Sequence, residues 1–184
     1  MPNLSAAYDY GELTVHNDGY LSNDRRHQAK VAAVHVFPFR LTAGASAYYR
    51  SGTPLLAIGF SELNGNAFYL SQRGTWGRTQ PEYEMDLHLG YPIKIGGAEV
   101  NLLVDVFHLL DRQGETGRDQ SYNFDQTVDV IDYATGKPLP SIARGTPCAS
   151  LVSPDNAVTC NSAFNTTNAW QDPRSVRLGV RITF

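Results

Sequence analysis

The chain has 184 residues, one domain's worth of material, and a formal charge of −3 with a pI near 5.9. That balance offers no basic footprint for nucleic acid. Mean hydropathy is −0.30 although 42% of residues are hydrophobic, and no apolar run approaches the roughly 18 residues of a membrane helix; a transmembrane barrel stays open, since only every second residue of its strands meets lipid.

Residues 1 to 25 read mostly as loop. Leu4 to Tyr10 suits the end of a strand, and Asp18-Gly19 and Ser22-Asn23-Asp24 are turn chemistry. A first full strand is expected over 27–37, a tight turn at Pro38-Phe39-Arg40, and a second strand over 41–51. A long loop follows over 55–80. The third strand, 82–93, alternates clearly, with Tyr83, Met85, Leu87, Leu89, Tyr91 and Ile93 against Glu84, Asp86, His88 and Gly90. Lys94-Ile95-Gly96-Gly97 turns the chain into a fourth strand over 98–110. There Val100, Leu102, Val104 and Val106 oppose Asn101 and Asp105, while Leu103, Phe107 and Leu109 blur the polar side.

From Asp111 to Asp172 lies a polar stretch too long for an ordinary connection, so function or mobility is expected there, with Tyr122 to Tyr133 as a further extended segment. Cys148 and Cys160 fall inside it with no CxxC partner and no His at metal spacing, which argues against zinc. A loop-closing disulfide made in an oxidising compartment is the preferred reading over two free thiols.

The fifth strand, 174–184, has the strictest alternation. Val176, Leu178, Val180, Ile182 and Phe184 are apolar, and Arg177, Gly179, Arg181 and Thr183 lie between them. Two arginines on one face of a strand would be costly in a dry interior but sit well on the wall of a water-filled barrel. Short turns at 38–40 and 94–97 alternate with long loops at 51–82 and 111–172, the pattern of periplasmic turns and outer loops. The expected fold is therefore all-β: an antiparallel transmembrane β-barrel segment with long extracellular loops and short periplasmic turns. Five strands cannot close a barrel, whose smallest single-chain form has about eight. As read, the chain is an arc with two open edges.

The terminal pattern Arg177-x-Gly179-x-x-Ile182-x-Phe184 resembles the C-terminal assembly signal of bacterial outer-membrane barrels. Five stretches together resemble, in order, the C-terminal part of TonB-dependent outer-membrane receptors of the Oar-like group, which carry a carboxypeptidase-regulatory-like domain. They are Asp18 to His27, Tyr49 to Pro54, Arg73 to Thr79 leading into Tyr83 to Tyr91, Val104 to Arg112, and Arg174 to Phe184. At His108 that group usually has Asn. The resemblance implies that 1–184 supplies about the last five strands of a barrel of about 22 around a plug, in a receptor that takes up a ligand. It implies, as partners, outer-membrane lipid, the barrel-assembly machinery through the last strand, and the remaining barrel and plug. TonB would be reached only through sequence outside this chain. Met1 to Ser5 lack the basic and apolar segments of a signal peptide, so that signal is expected upstream.

Glu84, Asp86, His88, Asp105, Arg177 and Arg181 form the expected lumen-facing polar row. Carboxylates at i and i+2 on a strand lie roughly 6–7 Å apart, which suits solvated or cross-strand-paired wall charges better than a catalytic dyad. Arg73, Trp76 and Arg78 read as loop packing before ligand contact. No GxSxG elbow, phosphate loop, metal set or cofactor motif emerges, so no enzyme is expected. The alternative is a soluble β-barrel that binds a small ligand, with an outer-membrane enzyme less favoured. The soluble reading would bury Glu84, Asp86, Arg177 and Arg181 together.

Overall fold

A computed structural model describes residues 10–61, 66–124, 129–151 and 160–184. The strand end read over Leu4–Tyr10 lies outside them save for Tyr10. The described residues form eleven strands and no α-helix. The strands are β1 (Gln28–Val36), β2 (Thr42–Arg50), β3 (Ile58–Ser61), β4 (Asn66–Tyr69), β5 (Glu82–Ile95), β6 (Ala98–Phe107), β7 (Glu115–Arg118), β8 (Ile131–Asp132), β9 (Lys137–Pro138), β10 (Thr167–Trp170) and β11 (Ser175–Thr183). None of the described helical turns is long and apolar enough to cross a membrane.

The chain divides into two compact units. The first, a sheet unit, comprises Arg25–Gly52, Gln80–Thr116 and Ala169–Phe184. Its core element is a five-stranded sheet in the order β1-β2-β5-β6-β11, antiparallel at every step. β1 and β2 are joined by a tight turn in which the Phe37 N–H donates to the Leu41 carbonyl at 2.8 Å and Arg40 adopts φ +73°. Gly96, at φ +60°, supplies the left-handed residue in the turn between β5 and β6. The sheet is stepped. β2 covers β5 from Arg50↔Glu82 to Thr42↔Gly90, whereas β6 covers it from Leu87↔Val106 to Ile95↔Ala98. Such an offset between neighbouring hairpins is what strands tilted in a sheared sheet require. The sheet does not close, and β1 and β11 are its open edges.

The second, a loop unit, is built from the described residues of Met1–Asp24, Thr53–Thr79 and Gly117–Asn168. It has its own core of Leu13, Val15, Leu55, Ala57, Phe68, Leu70, Trp76, Tyr122 and Val130. Trp76, Tyr122 and Phe164 meet edge to face, with ring centroids 4.9 to 6.1 Å apart, a preferred aromatic geometry. Cys148 and Cys160 are joined as a disulfide, their Cα atoms 5.8 Å apart. Around it the Tyr122 hydroxyl donates to the Thr146 carbonyl (2.7 Å), and the Asn161 N–H donates to the Tyr122 carbonyl (3.1 Å).

This unit differs from the expectation of plain loops. Residues 55–80 contain the β3–β4 hairpin and five members of the core, and the first 25 residues contribute Leu13 and Val15 from a 3-10 turn at Gly11–Thr14. The long 111–172 stretch likewise supplies buried Tyr122 and Val130. Of the extended segment expected at Tyr122–Tyr133, residues 125–128 lie outside the described ones. The remainder shows an isolated bridge at Asn123 and the two-residue strand β8. Apolar residues scattered across three separate segments carry no local period, so their joint core leaves no signature in any single window.

Candidate functional site

The candidate site is the polar face of the five-stranded sheet. Successive side chains of a strand point to opposite faces, so the register alone sorts them. On one face stand Tyr83, Met85, Leu87, Leu89, Tyr91 and Ile93 of β5, Val100 to Val106 at alternate positions of β6, and Val176, Leu178, Val180 and Ile182 of β11. This apolar face is open to the surroundings, with Leu178 76% and Val180 63% exposed. A contiguous exposed apolar sheet of that extent marks a surface that something covers.

On the other face the charges meet across strands. His88 of β5 stands opposite Asp105 of β6, which stands opposite Arg177 of β11. The His88 Nδ1 lies 2.5 Å from Asp105 Oδ1, and Arg177 donates both Nε and Nη2 to Asp105 Oδ2 at 3.0 and 2.8 Å. The Arg177 guanidinium also lies over the Phe107 ring at 5.1 Å, so the apolar Phe107 on this face serves as a platform for charge. Glu84 accepts from the Tyr48 hydroxyl of β2 at 2.6 Å and lies 3.0 Å from His108 Nδ1. Asp86 accepts the His108 backbone N–H at 3.1 Å and lies 3.5 Å from Ser46 Oγ. Val34 and Val36 of β1 also stand on this face, and Leu103 fits between Gly90 and Gly179, where an added Cβ would lie 3.4 and 3.5 Å from it. Ala32, Gly44 and Ser46 beside Asp86, His88 and Asp105 leave a shallow concavity in the face.

The structure thus gathers Glu84, Asp86, His88, Asp105 and Arg177 on one surface in a cross-strand network. Arg181 shares that face but stands opposite Asn101, apart from the network. Gly179 and Arg177 lie on the polar face, and Ile182 on the apolar one. Arg73, Trp76 and Arg78 belong to the loop unit: Trp76 is buried, Arg73 donates to Asn17 Oδ1 (2.7 Å), and Arg78 pairs with Asp24. Among the described residues no group of His, Cys, Asp and Glu is arranged to hold a metal. Sequence reasoning missed Tyr48, Ser46 and His108 as members of the network. The first two lie on a strand whose small residues mask its polarity, and His108 follows the end of its strand.

The whole chain aligns with the TonB-dependent transporter Oar of Myxococcus xanthus, 32% identical over 197 residues. The chain resembles a TonB-dependent transporter. It spans 18% of the length of that transporter. The likeness to the Oar-like group read from five separate stretches is thus found over 100% of this chain. No family model and no solved structure matches it.

Proposed function

We propose that this chain forms part of the barrel wall of a TonB-dependent outer-membrane receptor. In that wall the apolar face meets lipid and the polar face lines the water-filled interior. The observation that carries this reading is the sorting of the sheet into one exposed apolar face and one face of cross-strand charge pairs, in a chain that resembles a transporter along its full length. An exposed apolar face of this size is tolerable against acyl chains and costly against water, about 25 cal/mol for each Å² left wet. The paired charges suit a hydrated wall, where ion pairs are screened and weak.

In this reading the short turns at 37–41 and 96–97 are periplasmic, and the long connections after β2 and β6 leave from the outer ends of the strands. The receptor takes up a ligand with TonB engaged by sequence outside this chain. Arg177, Gly179, Ile182 and Phe184 form the signal read by the barrel-assembly machinery, and lipid covers the Leu178 face. The relative is a transporter, and the polar face is a wall of mutually paired side chains, so no catalytic step is assigned to it. The soluble small-ligand module is disfavoured because it would leave Leu178, Val180 and Ile182 in water.

The test is the partition of the expressed chain between buffer and detergent micelles, with circular dichroism of each fraction. A strand spectrum confined to detergent supports the wall. A monomer that melts cooperatively in buffer alone would overturn it.

A further inference from the structure

No turn fixes the register of β11 on β6. The tight turn at Gly96 joins β5 to β6 and aligns those two strands directly. The long connection from Phe107 to Ser175 places no such constraint on β11. A slip of one residue would carry Arg177 and Arg181 to the apolar face, so the alternation excludes it. A slip of two residues keeps every side chain on its own face. In the observed register Val176, Leu178, Val180 and Ile182 stand opposite Val106, Val104, Leu102 and Val100. Shifting β11 by two residues either way still sets aliphatic against aliphatic along most of the ladder. The apolar face is therefore indifferent, and the polar face must decide.

On that face Arg177 stands opposite Asp105, and Gly179 opposite Leu103. Arg177 donates Nε and Nη2 to Asp105 Oδ2 at 3.0 and 2.8 Å, while His88 Nδ1 of β5 lies 2.5 Å from the other carboxylate oxygen. One step along, Leu103 fills the space between Gly90 and Gly179, where an added Cβ would already touch it at 3.4 and 3.5 Å. Sliding β11 one way would set Arg181 against Leu103 in place of a glycine, with Arg177 opposite Phe107 and Gly179 opposite Asp105. Sliding it the other way would set Arg177 against Leu103 and leave Ser175 opposite Asp105. That second alignment has one compensation, because Arg181 would then face Glu99. In the structure Glu99 is already occupied: Arg40 Nη2 donates to it at 2.9 Å and Asn101 Nδ2 at 3.3 Å.

We propose that Asp105 and Leu103 of β6 are the register-setting residues for β11, and that Arg40 withholds Glu99 from Arg181 and so removes the competing alignment. Asp105, held by His88, accepts the guanidinium in one alignment, and Leu103 admits only a glycine beside it. Opposite charges directly across a ladder stabilise pairing, and the occupied Glu99 works against the wrong partner as the clasp works for the right one. The inference concerns strand alignment alone and does not rest on the barrel-wall reading. Its consequence for a barrel is direct: a two-residue slip of one strand alters the stagger, which together with strand number sets how a barrel closes.

Cysteine pairs on the apolar face report the alignment. Residues directly across a ladder are close enough for a disulfide, whereas those two positions off lie roughly 7–8 Å apart and are not. Leu102→Cys is combined in turn with Val180→Cys, Leu178→Cys and Ile182→Cys. Each protein is folded in whichever of buffer and detergent supports folding, oxidised, digested and quantified by mass spectrometry. The Val180 pair reports the observed register, the Leu178 pair the alignment that brings Arg181 to Glu99, and the Ile182 pair the opposite slip. The Val180 pair should dominate in the parent. Asp105→Asn should raise the slipped pairs by about two- to fivefold, and Arg40→Ala should raise the Leu178 pair without the Ile182 pair. Asp105→Arg with Arg177→Asp should restore the Val180 pair. Slipped pairs that stay at parental levels in Asp105→Asn, or an Arg40→Ala that raises both slipped pairs alike, would overturn the proposal. If Asp105→Asn yields no folded protein, the double reversal decides: recovery of the Val180 pair supports the proposal and its absence overturns it. Folding in buffer alone with the expected pairs would sink the barrel-wall reading and leave the register assignment standing.

Discussion

At Gly19 the backbone takes φ +111°, and a Cβ there would lie 2.5 Å from the Arg73 carbonyl oxygen. Both facts demand glycine, because the conformation is poor for an L side chain and the neighbour is rigid backbone. Gly19→Ala should cost the loop unit about 3 kcal/mol, read as lost protection of that unit in limited proteolysis; resistance equal to the parent would refute the account. His108 shows the same conformational demand answered differently. Its φ of +53° places it in the left-handed region, where Asn is tolerated better than most residues. The Asn usual in the resembled group fits that geometry, and here His adds a side-chain contact to Glu84. His108→Asn should therefore change the unfolding free energy of the refolded protein little, by under about 1 kcal/mol. Asp86→Ala, which removes the carboxylate holding the His108 N–H, should cost more, about 1–2 kcal/mol. The opposite ranking would show that the His108–Glu84 contact matters more than the turn.

Among elements, the disulfide and the aromatic trio define how the loop unit holds together. Cys148 and Cys160 are separated by 12 positions, and a cross-link over a loop of that order contributes about 2–4 kcal/mol. Cys148→Ser with Cys160→Ser should loosen the packing around Tyr122, seen as a drop in near-ultraviolet circular dichroism relative to the disulfide-bonded protein. The unit also has an alkaline limit. Burial raises the Tyr122 phenol, and burial together with its hydrogen bond to Glu12 raises Tyr133 to about 12. A raised phenol pKa means that the folded state holds its proton more tightly than the unfolded chain. The associated stability is complete below the ordinary value of 10.0 and is lost as pH climbs from there toward 12. Tyr133→Phe should blunt that alkaline loss; an unchanged pH midpoint would exclude Tyr133 as a source of it.

For the whole molecule, adjacent residues of β11 make opposite predictions. Leu178 lies on the exposed apolar face and Gly179 on the polar one. Leu178→Arg should cost the protein's insertion into lipid vesicles about 2–4 kcal/mol if that face sits near the bilayer midplane. On the barrel-wall reading, Gly179→Arg, one residue on, should cost far less in insertion, since it would enter the hydrated side beside Leu103. Equal penalties would mean that the sheet does not separate lipid from water.

Alternation in 82–93 and 174–184 made the two faces legible before any coordinates, because a strand's side-chain period of two is local and needs no partner to be read. The polar row Glu84, Asp86, His88, Asp105 and Arg177 was legible for the same reason. What the alternation could not say is who meets whom. The sharing of Asp105 between His88 and Arg177, and the isolation of Arg181 at an edge, depend on register across strands that are distant in sequence. Least legible was the loop unit. Its core gathers Leu13, Leu55, Trp76 and Tyr122 from segments of no common period, and only their packing in three dimensions turns apparent loops into a folded body.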